Sequence, residues 1–315
     1  MPGSSEEAIA RLAGNGGVFA RLATRTAQAL RLLTRSRSGS VGLALLVMFT
    51  LVALIGPWIA PQNPNASTSF SNDILVSPRW HYLLGTDGNG RDVLSELILG
   101  ARISMTVGFA AAVVSVVIGS VVGIAAGLAG GWIDRILTAV DDFFLVLPFL
   151  PLAIVLTSLL SQRANRLPGG RMVIVIGVIG VTLWAGTSRI VRSQVVTVKE
   201  RQFVERARAL GASRLWIARK HILPNVLPLL FANSVLMVSV AILSESSLSF
   251  LGLGDPSNPS WGTMLDAANE SGAFAQGAWW FFLPPGICIV LLVLAFNLVG
   301  SAVEEIINPR LRERP

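Results

Sequence analysis

The segment KERQFVERARALGASRLWIARKHILPNVLP, from Lys199 to Pro228, is a long polar stretch within an otherwise apolar part of the chain. It predicts two short helices. The first runs from Glu200 to Leu210, with an acid in its first turn and Gly211 just past its end. The second runs from Ser213, a suitable N-cap, to Ile222, and Pro224 is predicted to stop it. The segment is therefore predicted to form a helix, a tight turn and a second helix.

The first of these helices is amphipathic. Phe203, Ala207 and Leu210 fall on one stripe at helical spacing. Most of the other positions are charged: Arg201, Glu205, Arg206 and Arg208. A helix of this kind either lies on a membrane surface or docks into a groove of another protein.

The order of residues in this segment resembles the EAA loop of importer-type ABC permeases. That loop reads Glu-Ala-Ala, three residues, Gly, nine residues, Ile-x-Leu-Pro. The matching positions here are Glu205, Ala207, Gly211, His221, Leu223 and Pro224. The chain departs from the pattern at Arg206, which replaces an alanine, and at His221, which replaces the isoleucine. In that family the loop is a cytoplasmic coupling element that sits in a cleft of the ATP-hydrolysing subunit, so we name Lys199–Pro228 the coupling loop.

The composition excludes a soluble globular protein. The chain is 52% hydrophobic and only 14% charged, with a mean hydropathy of +0.65. A net charge of +7 does not indicate nucleic-acid binding, because the basic residues lie beside apolar runs and a cytoplasmic-face bias explains them. Cys288 is the single cysteine, and the two histidines, His81 and His221, are far apart. We therefore expect no disulfide and no metal site.

The apolar runs predict an all-α membrane protein with six spans, each close to the ~20 residues needed to cross a bilayer. They are Val41–Ala60, Ile103–Ala129, Ile136–Leu160, Met172–Val191, Val226–Leu251 and Trp280–Val303. The third contains Pro148 and Pro151, which predict a kink. Asp141 and Asp142, in its first half, are predicted to be solvated near the cytoplasmic end.

The distribution of Arg and Lys predicts the orientation of these spans. The N-terminal arm, the coupling loop and the C-terminal tail are all basic, so all three are assigned to the cytoplasm. The loop 252–279 has no Lys or Arg and is assigned to the exterior. One basic loop, 161–171, disagrees. The predicted organisation is a cytoplasmic arm with an interfacial helix (1–40), a six-span permease domain (41–303) and a cytoplasmic tail (304–315).

Small residues in the second span predict close helix packing. Gly119, Gly123 and Gly127 recur at intervals of four, which lets two helices approach closely in lipid. The sequence leaves open whether the partner helix belongs to this chain or to a second subunit.

Further segments resemble the dipeptide, oligopeptide and nickel subgroup of these permeases. They are His81–Ser104 with its Gly-Thr-Asp-x-x-Gly-Arg-Asp motif, Ala241–Gly262, Ala295–Leu298 and Asn308–Arg312. The resemblance covers about Val41 to Arg312 and implies the type I importer architecture and the C-type permease of such a system. It also implies partners: a B-type permease, two ATPase subunits or domains, and an extracytoplasmic solute-binding protein.

Three polar residues within spans are candidates for the translocation pathway: Glu245, Ser244 and Asn297. A carboxyl in an apolar span is costly and faces either a bundle interior or water. Glu245 thus either lines the solute path or is hydrogen-bonded to a neighbouring helix, and Asn297 is interpreted as a contact between helices. Glu245 also supports the rival hypothesis of an ion-coupled secondary transporter.

The sequence also predicts that this chain does not itself bind ATP through a P-loop. Neither Lys199 nor Lys220 follows a glycine and precedes Ser or Thr, so this chain has no P-loop. We expect a non-enzymatic subunit that binds no cofactor, with ATP and Mg²⁺ held by the partner ATPases. The cargo stays open among peptide, nickel chelate, haem, glutathione and opine.

Overall fold

A computed structural model describes residues 36–61, 73–164 and 167–307. Within these ranges the regular structure is helical, apart from two isolated bridges in the segment 79–92. The all-α prediction is therefore confirmed. The predicted interfacial helix of the N-terminal arm and the arginines of the C-terminal tail lie outside the described residues.

Ten α-helices are described, and we number them in chain order. They are α1 (Arg37–Ile59), α2 (Val93–Ala129), α3 (Gly131–Val146), α4 (Phe149–Ser161), α5 (Gly170–Lys199), α6 (Gln202–Ala209), α7 (Arg214–Ile217), α8 (Leu223–Leu248), α9 (Trp261–Glu270) and α10 (Trp279–Ile307). A π-helical turn, Ala218–Ile222, joins α7 to α8, and another, Ser249–Leu253, follows α8. Five continuous helical segments are long and apolar enough to cross a membrane, and a sixth crossing is possible if α3 and α4 together form one span.

The third predicted span is two helices rather than one kinked helix. α3 and α4 are bent by 92° relative to each other. The break falls at Leu147, whose ψ of 130° is extended, immediately before Pro148. A proline disfavours the helical conformation of the residue before it, and this accounts for the break. The predicted discontinuity is thus present at Pro148, but it is a break between two helices and not a kink within one.

The prediction for the two acids of α3 is wrong for one of them. Asp142 is exposed, as predicted, but Asp141 is buried and accepts a hydrogen bond of 2.9 Å from the Ser188 hydroxyl of α5. One helical position therefore separates a solvated carboxyl from a buried one.

The glycine series of α2 packs against α5 of the same chain. A Cβ atom on Gly123 would lie 2.5 Å from the Ser188 carbonyl oxygen, and one on Gly119 would lie 2.5 Å from the Trp184 carbonyl oxygen. At Gly127 the nearest atom would be Val195 Cγ1, at 2.7 Å. Only glycine permits backbones to come this close, so these residues set the distance between α2 and α5.

At the far end of α8 the chain turns back toward the bundle. Gly252, in the π-helical turn, has a φ of +75°, and α9 then begins with a capping box at Ser260. Trp261 is fully buried, and its indole N–H donates to the Leu97 carbonyl oxygen of α2 at 2.9 Å. The helix of span five is therefore broken at this end.

The opposite end of the bundle has its own apolar cluster, which we name the loop cluster. It joins the coupling loop to three long helices, α2, α5 and α8. Its buried members are Val191, Val195, Val198, Val204, Ala207, Ile217, Ile222, Val226 and Leu230, with Ile124 and Leu128 of α2 packed against them. Burial of this apolar surface fixes the coupling loop onto the membrane helices.

Candidate functional site

The turn of the coupling loop is a Schellman motif at the end of α6. Gly211 has a φ of +83°, its N–H donates to the Arg208 carbonyl oxygen, and the N–H of Ala212 donates to the Ala207 carbonyl oxygen, both at 3.0 Å. A left-handed residue is required at this position, which is why glycine occupies it. A Cβ atom on Gly211 would meet nothing within 4 Å. A side chain there would therefore project away from the protein.

The second part of the loop differs from the prediction at its end. Ser213 caps α7 as expected, since its hydroxyl accepts from the Trp216 N–H at 3.3 Å. Pro224, however, does not stop the helix, which passes through the π-helical turn directly into α8. Pro224 directly follows the π-helical turn, as the second residue of α8. The loop is thus continuous with the span that follows it.

The apolar stripe predicted on α6 is divided between two faces. Val204 and Ala207 point inward into the loop cluster. Phe203 and Leu210 point outward, and the Leu210 side chain is 88% exposed. The inward role of Val204 was missed, because its spacing from Ala207 fits a helical stripe as well as the spacing of Phe203 does.

An open, largely apolar groove of about 570 Å³ lies on the outward side of the coupling loop, and we name it the loop groove. The His221 ring contacts two aromatic rings, with centroids 5.5 Å from Phe203 and 5.2 Å from Trp216. The residues that line it are Phe203, Arg206, Ala207, Leu210, Gly211, Ala212, Ser213, Trp216 and His221.

Three of the six predicted coupling residues, Ala207, Gly211 and His221, line this groove. Glu205, Leu223 and Pro224 are exposed but lie outside it. The sequence analysis did not single out Trp216, which forms one wall.

The buried carboxyl of Glu245 is enclosed by hydroxyl groups. Its side chain is 2% exposed, Ser249 donates to Oε1 at 2.7 Å, and Ser246 lies 3.4 Å from Oε2. The hydroxyls of Ser104 on α2 and Ser260 at the start of α9 also interact with the carboxyl. Glu245 therefore connects three elements, α2, α8 and α9. The cavity beside it, in the part of the chain that the structure describes, measures about 10 Å³, which is too small for a peptide.

In the described residues, the hydrogen bonds of the other two pathway candidates go to backbone carbonyl groups and not to Glu245. Ser244 is buried, and its hydroxyl donates to the Val240 carbonyl oxygen of its own helix at 2.7 Å. Asn297 is exposed on α10, and its amide donates to the Val293 carbonyl oxygen one turn earlier at 2.9 Å. The hydrogen bond described for Asn297 thus lies within its own helix, and its predicted contact with another helix stays a prediction.

A charged cavity of about 290 Å³ lies at the other end of the bundle from the coupling loop. Its acids and bases are Asp87, Glu96, Asp266, Glu270, Arg91 and Arg171. Burial raises the pKa of Asp87, although the backbone N–H groups of Asn89 and Arg91 donate to this carboxyl. Burial and the nearby Glu270 raise the pKa of Asp266. No motif in the sequence indicated that these segments meet.

The long apolar helices, with a helical loop fixed to their ends and an exposed groove on that loop, define a multi-pass membrane protein. Residues 119–313 match the family model for the binding-protein-dependent transport system inner membrane component, and residues 24–78 match the N-terminal transmembrane domain of oligopeptide transport permease C. The chain belongs to this family of ABC importer permeases.

Named relatives cover most of the chain. The sequence is 35% identical to the di/tripeptide transport system permease protein DppC of Pseudomonas aeruginosa, over 86% of this chain and 88% of that one. It is 38% identical to the dipeptide transport system permease protein DppC of Escherichia coli, over 89% and 91% of the two chains. Among solved structures, the MetNI methionine ABC transporter gives a TM-score of 0.51 at 21% identity, covering 70% of this chain and 97% of that one. This last similarity supports the MetI-like fold only. None of these comparisons supports an ion-coupled carrier.

Proposed function

We propose that this chain is the C-type permease subunit of an ATP-driven importer for di- or oligopeptides or a related small solute. Its coupling loop binds separate ATPase subunits or domains, which hold the ATP and Mg²⁺ and perform the hydrolysis. A B-type permease completes the translocation pathway, and an extracytoplasmic binding protein delivers the solute. Peptide cargo is inferred from the relatives named as dipeptide and di/tripeptide permeases.

The loop groove is the observation that carries this proposal. The sequence left two options for the amphipathic α6, a membrane surface or a protein groove. The apolar residues Val204 and Ala207 already face the bundle, and those that remain exposed line a concave surface with Arg206 at its edge. A helix bound to lipid presents a convex apolar face, so the concave groove favours a protein partner.

The direct link between the coupling loop and the span after it supports a mechanical role. Because α7 runs through the π-helical turn into α8, a displacement of the loop groove is passed to a membrane helix without an intervening flexible segment. The loop cluster passes the same displacement to α2 and α5. ATP-driven movement of the partner then switches the bundle between two arrangements.

Of the three residues considered for the translocation pathway, Asn297 is better supported than Glu245 and Ser244. Asn297 has an exposed side chain on α10, so it is available to a pathway formed with a second permease. Glu245 and Ser244 are enclosed in this chain and fit a structural role better. The proposed location is the bacterial cytoplasmic membrane, with both termini and the coupling loop on the cytoplasmic side.

Uptake of a radiolabelled dipeptide into reconstituted vesicles, with ATP enclosed and the binding protein outside, tests the proposal. The complete assembly is expected to transport with ATP after the ion gradients have been collapsed. Uptake that requires an ion gradient and proceeds without ATP would contradict the proposal. Trp216→Ala removes one wall of the loop groove, and we expect it to weaken ATPase association by about 2 kcal/mol, or about 30-fold. Trp80→Ala, in the segment that precedes α2, provides the control, since Trp80 is fully exposed far from the groove.

A further inference from the structure

The orientation of α3 is the reverse of that expected for a helix held by an apolar core. Of its sixteen residues, all of which the structure describes, only Asp141 is buried. Most of its large apolar side chains, including Trp132, Phe143 and Val146, are exposed, and Phe144 is half-buried. One apolar contact joins α3 to α5: the Phe144 ring lies against Trp184, with centroids 5.4 Å apart. Apolar burial of α3 is otherwise small, so its polar contacts with α5 carry much of its attachment.

Those polar groups form a row of contacts between α3 and α5. The Asp134 carboxylate accepts two hydrogen bonds from the Arg192 guanidinium, from Nε at 2.5 Å and from Nη2 at 2.7 Å. The side chains of this pair are only 19% and 32% exposed. A bidentate and largely shielded pair is the strongest kind of side-chain ion pair. The Asp142–Arg189 pair is more than half exposed and contributes less.

A second polar contact ties the end of α5 to the end of α2. Lys199 is the last residue of α5, and its Nζ donates to the carbonyl oxygens of Gly127 and Leu128, both at 3.1 Å. Carbonyl groups in the last turn of a helix lack intrahelical partners and lie at the negative end of the helix dipole. Lys199 supplies α2 with a hydrogen-bond donor for these carbonyl groups and with a positive charge at the negative end of its dipole. It does so from a position three residues before α6 begins.

We propose that Asp134, Arg192 and Lys199 form a clamp that makes α3 and the end of α2 move with α5 when the coupling loop is displaced. The inference rests on the proposed function, because it assigns these side chains as positioning residues for the movement that the ATPase drives. Two glycines with positive φ, Gly130 and Gly131, form the corner between α2 and α3 and set α3 against α5. The clamp then holds α3 against α5.

The test measures distances within the full assembly, purified with its second permease and ATPases. Spin labels are placed at Ile136→Cys on α3 and Val173→Cys on α5, both exposed, in a Cys288→Ser background. The distance between them is measured without nucleotide and with ADP and vanadate trapped. With the clamp intact, we expect one narrow distribution that is the same in both states. In Asp134→Asn we expect the trapped state to shift or broaden by more than about 2 Å relative to the free state.

Two further variants separate the clamp from a purely structural role. The Lys199 contact is measured with labels at Val121→Cys on α2 and Val173→Cys on α5, both exposed. For this pair Lys199→Met is expected to give a distance that depends on trapped nucleotide. Lys199→Arg is expected to retain the wild-type behaviour, because it keeps a donor for the α2 carbonyls. Arg135→Met is the matched control, since Arg135 is an exposed cation next to Asp134. A structural defect alone would change both states equally or reduce the amount of assembly.

The outcomes distinguish this inference from the proposed function. If the unmodified chain retains no ATPase on purification, the proposed function fails and the clamp fails with it. If ATPase is retained and Asp134→Asn and Lys199→Met give the same distances in both nucleotide states, only the clamp is overturned. A second label pair, Phe143→Cys with Val173→Cys, serves if the first pair impairs assembly.

Discussion

Substitutions of Gly211 distinguish backbone strain in the turn of the coupling loop from steric obstruction of a bound ATPase. Gly211 has a φ of +83°, and a Cβ atom there would meet no other atom within 4 Å. The cost of any non-glycine residue at this position within the chain therefore comes from the backbone alone. That cost is about 1–2 kcal/mol for an ordinary residue and smaller for asparagine. Gly211→Ala and Gly211→Arg therefore carry the same internal penalty, and Gly211→Asn carries less.

The three variants differ sharply in what they present to a bound protein. Arginine would project a long charged side chain from the rim of the loop groove, whereas alanine adds one methyl group. We expect all three proteins to reach the membrane in near-normal amounts. ATPase co-purification and ATP-dependent uptake should be nearly normal for Gly211→Asn, modestly reduced for Gly211→Ala and lost for Gly211→Arg. The predicted reason is obstruction of the partner, because the turn itself has space for the side chain. Equal activity of the alanine and arginine variants would refute this reasoning.

Further predictions concern packing, the buried carboxyl and pH. Gly123→Ala should lower the free energy of unfolding of the purified protein by about 1–3 kcal/mol, because the added methyl group would collide with α5. Gly186→Ala should not, because a Cβ atom on Gly186 would meet nothing within 4 Å. Ser249→Ala should lower the free energy of unfolding by about 1–3 kcal/mol, because it removes the shortest hydrogen bond of the Glu245 carboxyl. Glu245→Gln should retain transport. Loss of transport with normal stability would instead place Glu245 on the solute path. Because burial raises the pKa of Asp87, its ionisation opposes folding, so its contribution to stability is greatest below the unfolded pKa of about 4 and falls as pH rises through the folded pKa. Asp87→Asn should flatten that part of the stability curve measured against pH, and an unchanged curve would exclude this group as its source.

The sequence predicted most of the helices because span length, glycine spacing and capping residues are local properties. The turn at Gly211, the cap at Ser213 and the close packing of Gly119, Gly123 and Gly127 all depend on features that a short segment contains. The partner of those glycines could not be predicted, because it depends on where α5 lies in three dimensions. The structure identifies that partner as α5 of the same chain.

The errors arose where tertiary context decides between similar local options. Pro224 reads as a helix stop, but a π-helical turn lets the chain pass through it into α8. Asp141 and Asp142 are adjacent in sequence, and only the position of α5 determines which of them is buried. The charged cavity joins two segments more than 150 residues apart, such as Asp87 and Asp266, and neither segment indicates the other.

Chemical labelling of the groove rim tests the central claim most directly. Leu210→Cys, in a Cys288→Ser background, places a thiol at a position that is 88% exposed in the isolated chain. We predict that a water-soluble maleimide labels this thiol rapidly in the purified permease and that bound ATPase subunits protect it. Labelling at the same rate with and without the ATPases would show that the coupling loop does not hold them.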